Sequence, residues 1–367
     1  MSDDLEFSIS EDTLEKITTL KDQMGFTGKE WDEWFNAIVD SYSKSTKNQS
    51  KIEKVFEKNH YKSNYKNWVK YFSLNINDIW NESSARDLDL SSNSNYDPAQ
   101  HSAIVIGAGP SIKKKKHLEM LAESNYQGNI VCTDRSLIPC LKAGITPDKF
   151  PNFNVVTIDP LELLKKFYDD EIVNKYGEKI NGVFSTVISP VTVDIARKAG
   201  IKIHWLHSLF DYDEGEKSFN QISALIVRAK SHINGLPAIQ TGGNVGTAAW
   251  FVSWQILKCS TVGLIGINHG WDEDDSWDEI LAHSNAPKDI DRTTSQFQTL
   301  YPKIYNPDFD CYCIQDPTYQ YYSNALKEFI SRSPEWVKTI NATEGGCIFG
   351  KRIISRPFKD FLNSHNN

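Results

Sequence analysis

Cysteine is scarce in this chain, with six residues in 367, and methionine is scarcer still with three. The cysteines at 132, 140, 259, 311, 313 and 347 are scattered, and several, as in Ile130-Val131-Cys132, lie inside apolar runs. That excludes a disulfide scaffold and reads as reduced thiols. Cys311-x-Cys313 offers two ligands but has no second close pair, so structural zinc is set aside. Long apolar runs are also missing. The most apolar stretch, Ala248 to Ile267, is broken midway by Gln255, Lys258, Cys259, Ser260 and Thr261, and reads as a buried helix followed by a strand rather than a membrane span. The start, Met1-Ser2-Asp3-Asp4-Leu5-Glu6, lacks the basic and apolar pattern of a secretory signal, so a cytoplasmic protein is expected. Positive charge is not in excess: 40 Lys and Arg against 48 Asp and Glu leave a net charge of -8. No broad basic footprint for nucleic acid exists, and any phosphate site must be local. The chain has no G-x-S-x-G, no H-E-x-x-H and no G-x-x-x-x-G-K-[ST], so hydrolase-elbow, zincin and Walker readings find no support.

What is present divides the chain into stretches. Residues 1–82 carry helical periodicity, with Trp31, Trp34, Phe35, Ile38 and Val39 as one stripe and Tyr61, Tyr65, Trp68, Tyr71 and Phe72 as another. Residues 83–100, rich in Ser, Asn and Asp, read as a linker. From 101 to 290 short β-rich runs alternate with helical stretches: Ala103–Ile106, Asn129–Thr133, Asn154–Ile158, Gly182–Thr186, Lys202–Leu206 and Thr261–Ile265. This predicts an α/β fold, a Rossmann-like, mainly parallel sheet with helices on both faces, preceded by a helical region. Residues 291–367 read as a mixed or helical extension, aromatic-rich through Tyr301, Tyr305, Tyr312, Tyr319, Tyr321 and Tyr322.

Ligands of such sheets sit at the carboxyl ends of the strands, so the residues after each run are the place to look. Ala103-Ile-Val-Ile106 runs into Gly107-Ala108-Gly109-Pro110-Ser111 and then a helix. Glycines allow close backbone approach, Ser111 is placed to cap the helix, and first-turn amides point at an anion. This is phosphate-cradle chemistry, or else a tight strand-to-helix turn; Ile112 replaces the third glycine of the dinucleotide fingerprint. Lys113 to Lys116 follow, opposing the helix dipole unless an anion or acidic neighbour offsets them. Thr133-Asp134-Arg135-Ser136 ends the second run, and Asp159 ends the third. Both aspartates suit a ribose, Mg²⁺ or a helix cap.

Thr241-Gly242-Gly243-Asn244-Val245-Gly246 is a further glycine turn entering an apolar helix, with side-chain donors at Thr241 and Asn244. The last run ends at Gly266-Ile267-Asn268-His269, followed by the acidic Trp271–Asp275 stretch, which reads as a lid or a solvated loop. Among nine histidines, His269 and His283 are the better candidates for a general base; His204 and His207 are more simply satisfied polar residues.

Taken in order, Gly107-Ala-Gly-Pro-Ser-Ile112, Thr133-Asp-Arg-Ser136 with Gly144-Ile-x-Pro147-Asp148, Val155-Val-Thr-Ile-Asp-Pro160, and Thr241-Gly-Gly-Asn-Val-Gly-Thr-Ala-Ala249 followed by Gly263-Leu-Ile-Gly-Ile-Asn268 resemble the MptE-like 6-hydroxymethylpterin diphosphokinase family. That domain is shared with motility accessory factor glycosyltransferases, and its core is similar to that of bacterial sialyltransferases. The resemblance covers about Ser102 to His283. It implies that Gly107, Ala108, Gly109, Pro110 and Ser111 line nucleotide phosphates with Arg135 and Ser136 nearby. It further implies that Asp134 and Asp159 meet the ribose or Mg²⁺, and that Thr241, Gly242, Gly243, Asn244 and Gly246 meet the nucleoside. Two departures stand out: the family's G-x-D is Gly266-Ile267-Asn268 here, and its A-D-G-A-like segment is Thr133-Asp134-Arg135-Ser136.

The expectation is a transferase using ATP as co-substrate with Mg²⁺ to place a diphosphate on a reduced pterin, with His283, His269 or Asn268 at the reacting centre. A glycosyltransferase using a CMP-type sugar on a glycan acceptor, and a nucleotide-binding module without catalysis, stand as alternatives. No nucleic-acid partner and no membrane span are expected.

Overall fold

The computed structural model describes residues 64–89, 101–209, 235–284 and 291–365, with the single positions 14, 15, 18, 19, 21, 31, 91, 97, 220 and 223. The chain forms two compact units, Met1–Lys58 and Asn59–Asn367. The described positions of the first unit are helical, Trp31 among them. Trp34, Phe35, Ile38, Val39 and Tyr61, and half of the segment read as a linker, lie outside the described residues.

In the second unit the strands are β1 (Ser83–Ser84), β2 (Ser102–Ile106), β3 (Asn129–Thr133), β4 (Phe153–Thr157), β5 (Asn181–Ser185), β6 (Lys202–Leu209), β7 (Ala238–Gln240), β8 (Thr261–Ile265), β9 (Trp271–Asp272), β10 (Lys303–Asn306), β11 (Cys311–Ile314), β12 (Lys338–Asn341) and β13 (Ile353–Ser355). Ten of them make one sheet in the order β1-β6-β5-β4-β3-β2-β8-β12-β13, with β7 on β6. Every pairing in it is parallel among the described residues. The six runs read from the sequence are the six central strands, displaced by three residues at most. β12 and β13, in the stretch read as a mixed extension, belong to the same sheet.

The strand sequences explain the layering. All five residues of β2 are buried, and they alternate between two cores: Ile104 and Ile106 face one, Ala103 and Val105 the other. A strand covered on both sides reads as an unbroken apolar run, the signature of parallel sheets. Ala248, Ala249 and Trp250 of the Val245–Phe251 helix are fully buried in the second core, as expected of the buried-helix reading. No helix among the described residues is long and apolar enough to cross a membrane.

The 64–81 helix covers the first core. Of the stripe read from the sequence it buries Trp68, Tyr71 and Phe72, and Ile79, which that reading did not include, extends the buried face. Asn75, 1% exposed, donates from Nδ2 to the carbonyls of Thr186 (3.2 Å) and Ile188 (2.8 Å) beyond β5. Arg197 reaches Asp78 and Glu82 at 2.7 Å, and Trp205 donates to Glu82 at 2.7 Å. A small antiparallel sheet, β10-β11-β9, packs Trp271, Ile280, Phe297, Tyr301 and Ile314 as a third cluster.

One expectation is overturned. The six cysteines are not all reduced thiols: Cys313 on β11 is bonded to Cys347. The partners are 34 residues apart and only the crossing of β11 by the segment after β12 brings them together, so their spacing gave no signal.

Because Asn75 is the donor to two buried carbonyls, Asn75→Ala is expected to lower stability by about 1–3 kcal/mol. Urea unfolding should show a lower midpoint at an unchanged slope; an unchanged midpoint would show that helix and sheet are not joined there.

Candidate active site at the carboxyl edge of the sheet

The turns after β2 and β8 are pressed together. Gly107 N–H donates to the Ile265 carbonyl and Gly109 N–H to the Gly266 carbonyl, both at 2.9 Å. A Cβ on Gly107 would lie 2.3 Å from the Gly266 oxygen, and one on Gly109 2.2 Å from Asn268 Oδ1. These glycines are therefore required by the neighbouring strand, whatever else approaches them, and their amides are already engaged. Ser111 does not cap its helix, where Pro110 holds the N-cap position; its hydroxyl donates to Asn268 Oδ1 at 2.9 Å. The Ser111–Lys114 helix is only four residues long, and Ala108 is the exposed member of the turn. Asn268, 3% exposed, is thus the post that fixes the turn.

The neighbouring strands supply two carboxylates. Asp134 follows β3 at the first position of the Asp134–Lys142 helix, 4% exposed, with Oδ1 accepting from Arg135 N–H at 2.6 Å. Asp159 lies two residues beyond β4, half-buried. Burial, and then the charge of Asp159, push the Asp134 carboxyl up to about 7; burial pushes Asp159 up to about 6. Arg135 is exposed beside them, whereas Ser136 is buried with its hydroxyl on Thr133 at 3.0 Å.

On the other side of Asn268 lies His269, 7% exposed, with a left-handed backbone (φ 45°) and no partner for its buried Nδ1. Burial, aided by Lys327, holds its pKa down to about 3, so the ring is neutral. It stacks at 6.2 Å on Tyr319 and lies 6.1 Å from Tyr322. Tyr322 also closes the Thr241–Gly246 turn: a Cβ on Gly243 would sit 2.8 Å from its ring. Burial and the charge of Asp159 hold the Tyr322 phenol protonated. Asn244 works as the N-cap of the Val245–Phe251 helix, accepting from Thr247 N–H at 2.9 Å, while Thr241 is 5% exposed. A Cβ on Gly246 would meet Ile267 at 2.8 Å.

The structure thus gathers Asp134, Asp159, His269, Asn268 and the two glycine turns along one edge. His283 stands apart: exposed at the end of the Trp277–His283 helix, it has its ring on the Glu279 carbonyl at 2.9 Å. The acidic loop is not free. Lys114 bridges Asp272 and Asp275 at 2.6 Å each; burial pulls this ammonium down, but the two carboxylates more than reverse it. One cation of the basic run is therefore neutralised locally. Trp271, packed edge-on against Tyr319 at 4.8 Å, fills the third cluster. His207 is a satisfied core residue, bonded to Thr186 at 2.9 Å and Ser223 at 3.0 Å.

Sequence reasoning missed the Pro317–Arg332 helix as a wall of the site, which brings in Tyr319, Tyr322 and Lys327. The signal was present: Asp316 followed by Pro317 is an N-cap and first-turn proline, and Tyr319 and Tyr322 share one face at i, i+3.

A family model described as "6-hydroxymethylpterin diphosphokinase MptE-like" matches residues 70–274, more than half of the chain. The chain belongs to the MptE-like family. The matched span begins inside the 64–81 helix and ends in the acidic loop, so it contains Asp134, Asp159, Asn268 and His269 but not the tyrosine helix. A solved MAf glycosyltransferase from Magnetospirillum magneticum AMB-1 is similar over 79% of this chain at 13% identity and a TM-score of 0.48. The chain spans 41% of that protein's length. No curated protein matches.

Two outcomes follow from this geometry. Gly109→Ala forces Asn268 out of its contact and is expected to destabilise the ligand-free protein by about 1–3 kcal/mol, read by thermal melting; an unshifted melting temperature would show the turn to be loosely held. The raised Asp134 pKa gives a sign to the pH dependence. The folded state holds a proton that the unfolded chain has released, so this contribution is full below the unfolded value near 3.8 and is lost as the pH rises through about 7. Asp134→Asn should therefore match the wild type near pH 4 and exceed it in stability near pH 8, measured by urea titration at both.

Proposed function

We propose that the chain is a nucleotide-dependent transferase that moves a diphosphate from ATP to the hydroxymethyl group of a reduced pterin. The observation that carries this reading is the pair of carboxylates, Asp134 and Asp159, crowded at the ends of adjacent parallel strands with pKa values pushed up to about 7 and about 6. Two desolvated acids facing the ligand edge cost stability, and that cost makes sense where a cation is bound. Their hard oxygen donors and unbalanced charge fit Mg²⁺, which would neutralise charge on the triphosphate when bound.

The rest of the edge supplies positioning. Arg135, exposed beside the pair, is available to the phosphates, and Ala108 and Ser111 present the turn that Asn268 fixes. The Thr241–Gly246 turn, closed by Tyr322, is assigned to the nucleoside end. In the transfer the pterin hydroxyl oxygen bonds to the β-phosphorus, the bond from that phosphorus to the α,β-bridging oxygen breaks, and AMP leaves. The hydroxyl proton goes to a base. His269, neutral and with an unpartnered Nδ1, is the acceptor this edge offers, and a weak one while burial holds its pKa down to about 3. The resemblance to the family's diphosphokinase supports the choice of donor and acceptor.

Thermal melting with ATP, AMP and CMP, each with and without Mg²⁺, tests the reading. A ligand at about 100 times its dissociation constant adds roughly 2.7 kcal/mol to the folded state. ATP is expected to stabilise the protein only with Mg²⁺, and Asp159→Asn to abolish most of that Mg²⁺-dependent shift. Stabilisation by CMP without metal would mark a sugar transferase instead, and no response to any nucleotide would refute the site.

A further inference from the structure

The segment after β12 is held directly behind Asn268. Cys347 N–H donates to the Asn268 carbonyl at 2.8 Å, and Gly346 (φ 72°) lies so close that a Cβ would be 2.5 Å from the same oxygen. Asn306 adds a bond to the Gly346 carbonyl at 2.8 Å. Cys347 is fixed in turn by its disulfide to Cys313, both sulfurs being fully buried. Successive odd positions of a strand share a face, so Cys311 and Cys313 of β11 are presented to this segment together. Cys311 Sγ is 3.9 Å from where a Cβ on Gly345 would stand, one pleat from the Cys313–Cys347 bond. Cys132, Cys140 and Cys259 are buried, which leaves Cys311 as the half-buried free thiol.

We propose that Cys311 is a thiol-exchange site for this disulfide. The Cys311 thiolate attacks Sγ of Cys347, the Cys313–Cys347 bond breaks as a Cys311–Cys347 bond forms, and Cys313 leaves as a thiolate that takes up the proton Cys311 released. The step is redox-neutral and needs no oxidant. The new disulfide lies nearer solvent, where a small monothiol of the glutathione class can reduce it, forming a mixed disulfide with one cysteine and freeing the other. Bridging requires Cα atoms within about 7 Å, so Cys347 must move along β11, and Gly345 and Gly346 give the segment the freedom to do so. That movement withdraws the Cys347 N–H from Asn268. Exchange and release of the post behind the glycine turn are therefore one event. Burial and Asp272 keep the Cys311 thiol protonated near neutrality, with Asp310 acting the same way and Lys115 opposing, so exchange accelerates as the pH rises. That release loosens a nucleotide site rests on the function proposed above; the exchange itself does not.

Mass-spectrometric peptide mapping of the unreduced, full-length protein is the test. Cys313→Ser, purified in air, is expected to carry a Cys311–Cys347 link, seen as protection of both thiols from alkylation; two alkylated thiols would overturn the proposal. Cys311→Ser keeps the original disulfide, and its reduction by glutathione is expected to slow about tenfold relative to the wild type; an unchanged rate would equally overturn it. The ATP-dependent melting shift, expected to shrink in linked Cys313→Ser, tests the coupling. An unchanged shift there refutes the coupling, whereas a wild type that ignores nucleotides refutes the functional reading and leaves the exchange result standing.

Discussion

The backbone turn after β2 and the backbone turn after β8 touch without room for a side-chain carbon between them. Parallel neighbours are normally about 4.8 Å apart, and here the ladder continues past the strand ends through the Gly107 and Gly109 amides. Asn268 closes the gap by accepting from Ser111, and its own carbonyl is held from behind by Cys347. The helix after β2, the acidic loop after β9 and the segment after β12 all take their positions from this contact. A methyl group at Gly107 or Gly109 would disturb all three.

The charges of the protein fall into two kinds around that contact. Arg197 is paired with Asp78 and Glu82, and Lys114 with Asp272 and Asp275, so these groups join elements and their fields are largely local. Asp134, Asp159 and His269 are different. Burial outweighs the counter-charge that Arg135 gives Asp134, so the acids are pushed up, and it pushes the imidazole down. A fold gains nothing from such groups by itself, since burial without compensation costs stability. Their gathering on the carboxyl edge of a parallel sheet is what distinguishes this edge from the rest of the surface.

The helical cover also has a definite role. Asn75 satisfies two carbonyls beyond β5, and Trp68 and Phe72 complete the core beneath. The family match beginning at residue 70 cuts through this helix, although the carbonyls it serves lie more than a hundred residues further along. The helix is part of the folded unit rather than an appendage to it.

The sequence by itself determined the central strands, the parallel sheet and the carboxyl-edge positions of Asp134, Asp159, Asn268 and His269. Those features are written in local patterns: β-rich runs of four or five residues, glycine turns directly after two of them (Gly107 and Gly266), and aspartates directly after two others (Asp134 and Asp159). It did not determine what those residues touch. The glycines read as a phosphate cradle proved to face a neighbouring strand, Ser111 left its cap for Asn268, and the basic run lost Lys114 to an acidic loop some 160 residues away. Nor could it join β12 and β13 to the sheet, bring Tyr319 and Tyr322 over His269, or pair Cys313 with Cys347. Only the tertiary structure decided these, because each depends on the distance between segments remote in the chain, which no local period or spacing encodes.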